Sequence, residues 1–204
     1  MKSDRHRVLG VDPGLRTTGY GIIDATNGRV RLVEAGVIAP NPRATLEARL
    51  SELHAAMVEI VRSLRPDCMV IEELWTGYRN PSTAVLMGHA RGVLCLAGGE
   101  NGVAVQTLAH TLVKRALVGS GAARKEQVKK MVVHLLGLRT HPRSDDVSDA
   151  LALAIAYALR ARGKDVVPGH LGEWSPNNVV KGRGDMGAPR AKRVGGAEPG
   201  AERL

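Results

Sequence analysis

The sequence predicts an α/β domain over residues 1–162, followed by a basic, disordered tail over 163–204. Two nearly continuous apolar runs, Val8 to Val11 and Cys68 to Ile71, have the character of strands buried on both faces. Longer segments between and after them carry apolar residues at helical spacing. From Gly163 onward Gly, Pro, Asn, Arg and Lys dominate without apolar periodicity, so there is too little to bury to offset the entropy of ordering the chain.

Composition narrows the class. The 204 residues suit one domain with an appendage, and a 44% hydrophobic content is enough for a core. With no Phe, three Tyr and two Trp, that core is built from Leu, Val, Ile, Ala and Met, and each aromatic becomes informative. A net charge of +9 points to a polyanionic partner, nucleic acid before membrane, because bound Lys and Arg release condensed counterions. The tail holds only part of that charge, so the globular part is basic too. Cys68 and Cys95 stand singly in apolar runs and are expected as reduced core residues of a cytoplasmic protein. No signal peptide and no stretch able to span a membrane is expected, since Met1 to Arg7 leads into a short strand.

The first strand ends in Asp12, followed at once by Pro13-Gly14, a turn dipeptide in which Gly accepts positive φ. Asp12 is either a turn-capping acid or a carboxylate that needs a cation, because an isolated buried carboxylate is costly. Gly19 to Asp24 and Arg29 to Ile38 read as two further strands, joined by the hairpin signal Asn27-Gly28 into an antiparallel meander. Thr45 to Leu64 is an amphipathic helix, stopped by Arg65-Pro66-Asp67. Cys68 to Glu73 is the second buried strand, and it too ends in acid. Alternation puts Glu72 and Glu73 on opposite faces, so only one can share a site with Asp12; Glu72, nearer the buried run, is the choice.

Leu74 to Asn80 reads as a loop carrying Trp75, Tyr78 and Arg79, either a stacking surface for bases or, for Trp75, a side chain tucked onto the core. Ser82 to Ala97 is a helix rich in small residues, suited to close approach of another backbone. A short strand over Val103 to Thr107 precedes helices over Leu108 to Val118 and Arg124 to Leu136, separated by Gly119-Ser-Gly121. They carry Lys114, Arg115, Lys125, Lys129 and Lys130, read as backbone-phosphate contacts more readily than as a solvated face. Ser144 is a plausible N-cap for a helix from Asp145 to Arg160. Asp146 and Asp149, at i and i+3, share its sheet-facing side, while Asp145 points elsewhere and suits the helix dipole.

Leu9-Gly-Val-Asp-Pro-Gly14 with Thr18-Gly19-Tyr20-Gly21, then Val70-Ile-Glu72, then Asp146-x-x-Asp149-Ala-Leu-Ala152, resembles the RuvC-type Holliday-junction resolvases. Gly88-His-Ala-Arg-Gly92, Val113-Lys114, and Gly119-Ser-Gly121 with Lys125 extend the resemblance over about four fifths of the chain. It implies an RNase H-like fold, a mixed sheet of three antiparallel strands followed by parallel ones and flanked by helices. It also implies a nuclease of DNA recombination and repair that binds a four-way DNA junction as a homodimer and cuts two opposed strands, with RuvA and RuvB as branch-migration partners. Asp12, Glu72, Asp146 and Asp149 would then hold two Mg²⁺ ions, for which Mn²⁺ can substitute. Lys114 and Lys125 would sit near the scissile phosphate, and Trp75 would occupy the place of a base-stacking aromatic that is often Phe in relatives. The chemistry wants such a cluster independently: hard divalent ions prefer carboxylate oxygens, and in their absence four acids repel one another and their pKa values rise.

Three rivals are weighed against this reading. Gly10-x-Asp12-x-Gly14 with Thr17-Thr18-Gly19 resembles the first phosphate loop of actin-like and Hsp70-like ATPases, but those need a second lobe for which this chain is too short. A smaller RNase H-like nuclease of ribosomal RNA precursors should lack the segment from Trp75 to Gly92. A module that binds junctions without cutting them is opposed by the completeness of the four acids.

Overall fold

Residues 5–74 and 81–162 are described by the computed structural model, so Trp75, Tyr78, Arg79 and the tail over 163–204 lie outside the described residues. Three strands open the chain, β1 (His6–Asp12), β2 (Thr18–Thr26) and β3 (Arg29–Ile38), followed by α1 (Leu46–Leu64) and β4 (Cys68–Glu72). Then come α2 (Pro81–Glu100), β5 (Ala104–Leu108), α3 (His110–Val118), α4 (Lys125–Leu136) and α5 (Asp145–Arg162). The sheet runs β3-β2-β1-β4-β5, antiparallel from β3 to β1 and parallel from β1 to β5. This is the mixed, RNase H-like sheet the sequence led us to expect.

Local chemistry explains the joints. Asn27 (φ 49°) and Gly28 (φ 80°) turn the β2-β3 hairpin with both residues at positive φ, the geometry that matches strand twist. Arg65 ends α1 in the left-handed region, its N–H donating to the Val61 carbonyl (2.9 Å) just ahead of Pro66. The Pro13-Gly14 turn differs from expectation, for Gly14 does not use positive φ. Its missing side chain is needed for contact instead: a Cβ there would collide with the Thr17 carbonyl, while Thr18 Oγ1 donates to the Gly14 carbonyl (2.6 Å) and accepts from its N–H (3.2 Å). α2 also runs one turn past Ala97, through Gly98 and Gly99. Gly98 is tolerated there because its bare face meets Val105 and Met69.

Strand alternation divides the core in two. Leu9, Val11, Met69 and Ile71 pack with Leu53, Met57 and Val61 of α1 and Ala90 and Leu94 of α2. Val8, Cys68 and Val70 pack on the other face with Val113, Leu117, Val128, Val132 and the apolar side of α5. Cys68 and Cys95 are both free; Cys68 is buried and Cys95 partly so. Among the described residues no helix is long and apolar enough to cross a membrane.

On the second face α5 lies almost on the backbone of β1 and β2. A Cβ at Gly10 would collide with the Ala150 carbonyl, one at Gly19 with Asp146, and one at Gly21 with the Leu151 side chain. Glycine at these sites sets the depth at which α5 docks. Replacing Gly10 by Ala should therefore lower unfolding free energy, despite the entropy it removes from the unfolded chain, by about 2 kcal/mol or more, the upper range of overpacking costs. A urea midpoint unchanged from that of the parent would contradict this account of α5.

Candidate active site

Asp12 is the last residue of β1 and Glu72 the last of β4, and these strands are parallel neighbours with Val11 opposite Ile71. One step further along each strand brings the two acids level and turns both toward α5. Glu73 falls outside the strand and is exposed, its N–H donating to the Leu108 carbonyl (3.1 Å). Of the two acids, Glu72, expected for its nearness to the buried run, is the one that meets Asp12. From above, α5 supplies Asp146 and Asp149 one turn apart, and Ser144 caps that helix by accepting from the Asp146 N–H (3.2 Å).

Burial, followed by the charges of Glu72 and Asp149, a hydrogen bond to the Glu72 carboxyl and the charge of Asp146, pushes the Asp12 carboxyl up to about 8. The other three sequence-derived acids therefore all act on Asp12, whose carboxyl keeps its proton at neutral pH.

Cations border this cluster. Lys125 Nζ lies 2.8 Å from Asp149 Oδ2 and 3.3 Å from Asp145 Oδ2. Burial works against the Lys125 charge, yet the bonds and charges of Asp149 and Asp145 prevail and its pKa is raised. Lys114 lines the same cleft with Glu72, His110, Lys125 and Asp149. Lys129, expected on a phosphate-binding face, turns its ammonium to Asp145 Oδ1 (2.8 Å) and Glu126 Oε1 (3.3 Å) and is 17% exposed.

Three partners were not anticipated. Asp145 is more than a helix-dipole acid, because it bridges Lys125 and Lys129, which hold its carboxyl below the usual range. His110 Nδ1 stands 2.9 Å from Glu72 Oε1. Arg91, inside the Gly88 to Gly92 motif, reaches from α2 to Thr107 Oγ1 (2.7 Å) and the Glu72 carbonyl (3.3 Å), joining the ends of β4 and β5. The charged residues in these segments were a signal, but only the strand order brings them to the acids.

Among the described residues no three acid, histidine or cysteine side chains stand ready as a metal cage, since Asp149 is turned to Lys125 and Glu72 to His110. The donor set nevertheless fits a hard divalent cation. It consists of carboxylates, and burial of Asp12 together with the charges of its three neighbours retains a proton there that a cation would displace.

Comparison with known proteins points to one family. The family model for crossover junction endodeoxyribonuclease RuvC matches residues 8–157. The chain is 43% identical to the crossover junction endodeoxyribonuclease RuvC of Rhodopirellula baltica, over 72% of this chain and 83% of that protein. The protein of the same name from Paramagnetospirillum magneticum is 44% identical, over 74% and 90%. Among solved structures, Thermus thermophilus RuvC in complex with Holliday junction substrate superposes with a TM-score of 0.74 at 35% identity, over 78% of this chain and 96% of that one. The yeast mitochondrial Holliday junction resolvase Ydc2 (TM-score 0.56, 14% identity, 78% and 82% covered) shares the fold.

The raised Asp12 carboxyl sets a pH dependence for the metal-free protein. An unfolded Asp loses its proton near 3.8, whereas folded Asp12 keeps it to about 8. Between these values the folded state binds the extra proton, so stability falls as pH rises from about 4 to about 8. Asp12→Asn should flatten that decline and melt above the parent at pH 8 in EDTA. Parallel melting curves for the two proteins across the range would refute the assignment.

Proposed function

As the chain belongs to the RuvC family of crossover junction endodeoxyribonucleases, we propose that it binds Holliday junctions as a homodimer and cuts two opposed strands by metal-dependent phosphodiester hydrolysis. The observation that carries this is the convergence of Asp12, Glu72, Asp146 and Asp149 at the ends of β1 and β4 beneath α5, bordered by Lys114 and Lys125. The four acids are the ligands for two Mg²⁺ ions, with Mn²⁺ as a substitute. Such ions supply an activated water and neutralise the leaving oxygen in an in-line displacement at phosphorus.

The chain's own groups prepare that chemistry. Lys125, anchored between Asp149 and Asp145, holds a fixed positive charge at the cleft, and Lys114 adds another on the α3 side. Fixed cations of this kind bind the scissile phosphate and stabilise charge that grows on its oxygens, with no reorganisation at the moment of reaction. Burial of Asp12 and its neighbours keeps the local dielectric low, which strengthens each of these interactions.

A dimer answers the two equivalent strands of a four-way junction with two-fold symmetry. It is supported by the outer face of α2, where Val85 (56% exposed), Leu86 (41%) and Leu96 (52%) stand beside Gly88 and Gly92, at which an added Cβ would meet nothing within 4 Å. An apolar, small-residue face of this kind suits the same helix of a second copy. The remainder of the reading is a nuclease domain over residues 1–162 with a basic tail, Trp75, Tyr78, Arg79 and Lys129 as DNA contacts, a cytoplasmic location, and RuvA and RuvB as partners.

A synthetic four-way junction with Mg²⁺, its products read on a denaturing gel, tests the chemistry. Glu72→Gln, Asp146→Asn and Asp149→Asn should each slow cleavage by roughly a hundredfold or more while junction binding survives, because each removes a charge that the metal needs. Glu73→Gln should cut like the parent, and Asp145→Asn should fall between, since Lys125 then keeps one of its two carboxylates. Equal cutting by all of these variants would make the acids structural and end their assignment as metal ligands, whereas no cutting by the parent would end the nuclease reading. The dimer has its own test: Leu96→Glu, at the C-terminal end of the apolar face, should yield monomers in light scattering at micromolar concentration. A dimer undisturbed by that charge would place the interface elsewhere.

A further inference from the structure

We propose that His110 is the positioning residue of Glu72, fixing the rotation of its carboxyl so that it can serve as a metal ligand together with Asp12. The inference rests on the metal-dependent nuclease reading and adds a group to it.

The strand order creates the contact. Glu72 pairs with Leu108 in the parallel β4-β5 ladder, so the first residue of α3, two positions beyond Leu108, emerges beside the end of β4. The backbone there is already held on both sides, by the Glu73 N–H on the Leu108 carbonyl (3.1 Å) and by Arg91 on Thr107 Oγ1 and the Glu72 carbonyl. None of these bonds touches the carboxyl group, which hangs on three rotatable bonds with the side chain 26% exposed. On the α3 side, His110 Nδ1, 2.9 Å from Oε1, restrains it. A carboxylate only accepts, so Nδ1 is the donor and the ring's tautomer is set by Glu72.

The same Glu72 carboxyl is hydrogen-bonded to Asp12, so it is oriented from two sides, by the imidazole and by the buried acid. Lys125 does not duplicate this role, for its contacts are with Asp149 and Asp145. The two halves of the acid cluster thus have separate restraints, His110 on the strand side and Lys125 on the helix side. Removing a donor that orients a metal ligand costs about 10- to 100-fold in metal affinity or activity, and a residue that acts only through Glu72 shows that loss in the affinity.

The test uses the full chain and Mn²⁺ alone, with free Mn²⁺ counted by electron paramagnetic resonance in the absence of DNA. His110→Ala should weaken Mn²⁺ binding by about tenfold or more. His110→Asn, whose side-chain amide can donate from near the Nδ1 position, should bind close to the parent. In junction cleavage the alanine variant should need correspondingly more Mg²⁺ for half its maximal rate, while its rate at saturating Mg²⁺ stays near that of the parent. Parental Mn²⁺ binding by His110→Ala overturns the inference, as does an asparagine variant no better than alanine. A fall in the saturated rate without a change in Mg²⁺ requirement also overturns it, placing His110 against DNA or the reacting atoms instead. A parent that neither binds Mn²⁺ nor cuts would defeat the nuclease reading itself. With a parent that does both, and Glu72→Gln losing both, the two substitutions at position 110 test His110 alone.

Discussion

The depth at which α5 lies on the sheet governs the rest of this molecule. Two acids come from strand ends and two from a helix, and the groups meet only if the helix backbone rests nearly on the strand backbone. Gly10, Gly19 and Gly21 permit that by presenting no side chain to Ala150, Asp146 and Leu151. The apolar run Ala150–Ala156 then fills the core on that side, so the burial that stabilises the domain also positions Asp146 and Asp149. Packing and chemistry here share one interface, and a side chain added to the sheet would disturb both.

Bringing four carboxylates together raises an electrostatic cost that the fold meets locally. A proton stays on Asp12, Lys125 leans on Asp149, and His110 holds Glu72. Each of these is an interaction that a divalent cation can replace or work beside, since carboxylate oxygens are the ligands that hard divalent ions prefer. Asp145 and Lys129 extend the arrangement outward from α5 to α4, with Asp145 giving Lys125 a second carboxylate beside Asp149.

On the opposite face, α2 joins the proposed subunit contact to the end of β4. Its outer side carries Val85, Leu86 and Leu96, and its inner side sends Arg91 to Thr107 and to the carbonyl of Glu72 itself. In the proposed dimer this helix would tie the separation of two subunits to the placement of each strand end, as cutting two opposed strands at a set spacing would require.

Much of this was legible in the chain. Nearly continuous apolar runs gave the two buried strands, strand alternation meant that only one of Glu72 and Glu73 could join Asp12, and nearness to the buried run chose Glu72. Asn27-Gly28 announced its hairpin, because few residues other than Asn and Gly adopt positive φ readily. The i, i+3 spacing put Asp146 and Asp149 on one side of α5, and the apolar run beside them showed which way that side faces. Local periodicity sets direction, though not neighbours. That Lys125 and Lys129 would meet Asp145, that His110 would reach Glu72, and that Arg91 would join β4 to β5 depends on the order β3-β2-β1-β4-β5 and on how α3, α4 and α5 share one face. Even Gly14, expected at positive φ, serves close contact with Thr17 instead. Residue spacing along one element determined which side chains point inward; only tertiary packing decided which charges they meet, because those partners come from segments far apart in the chain.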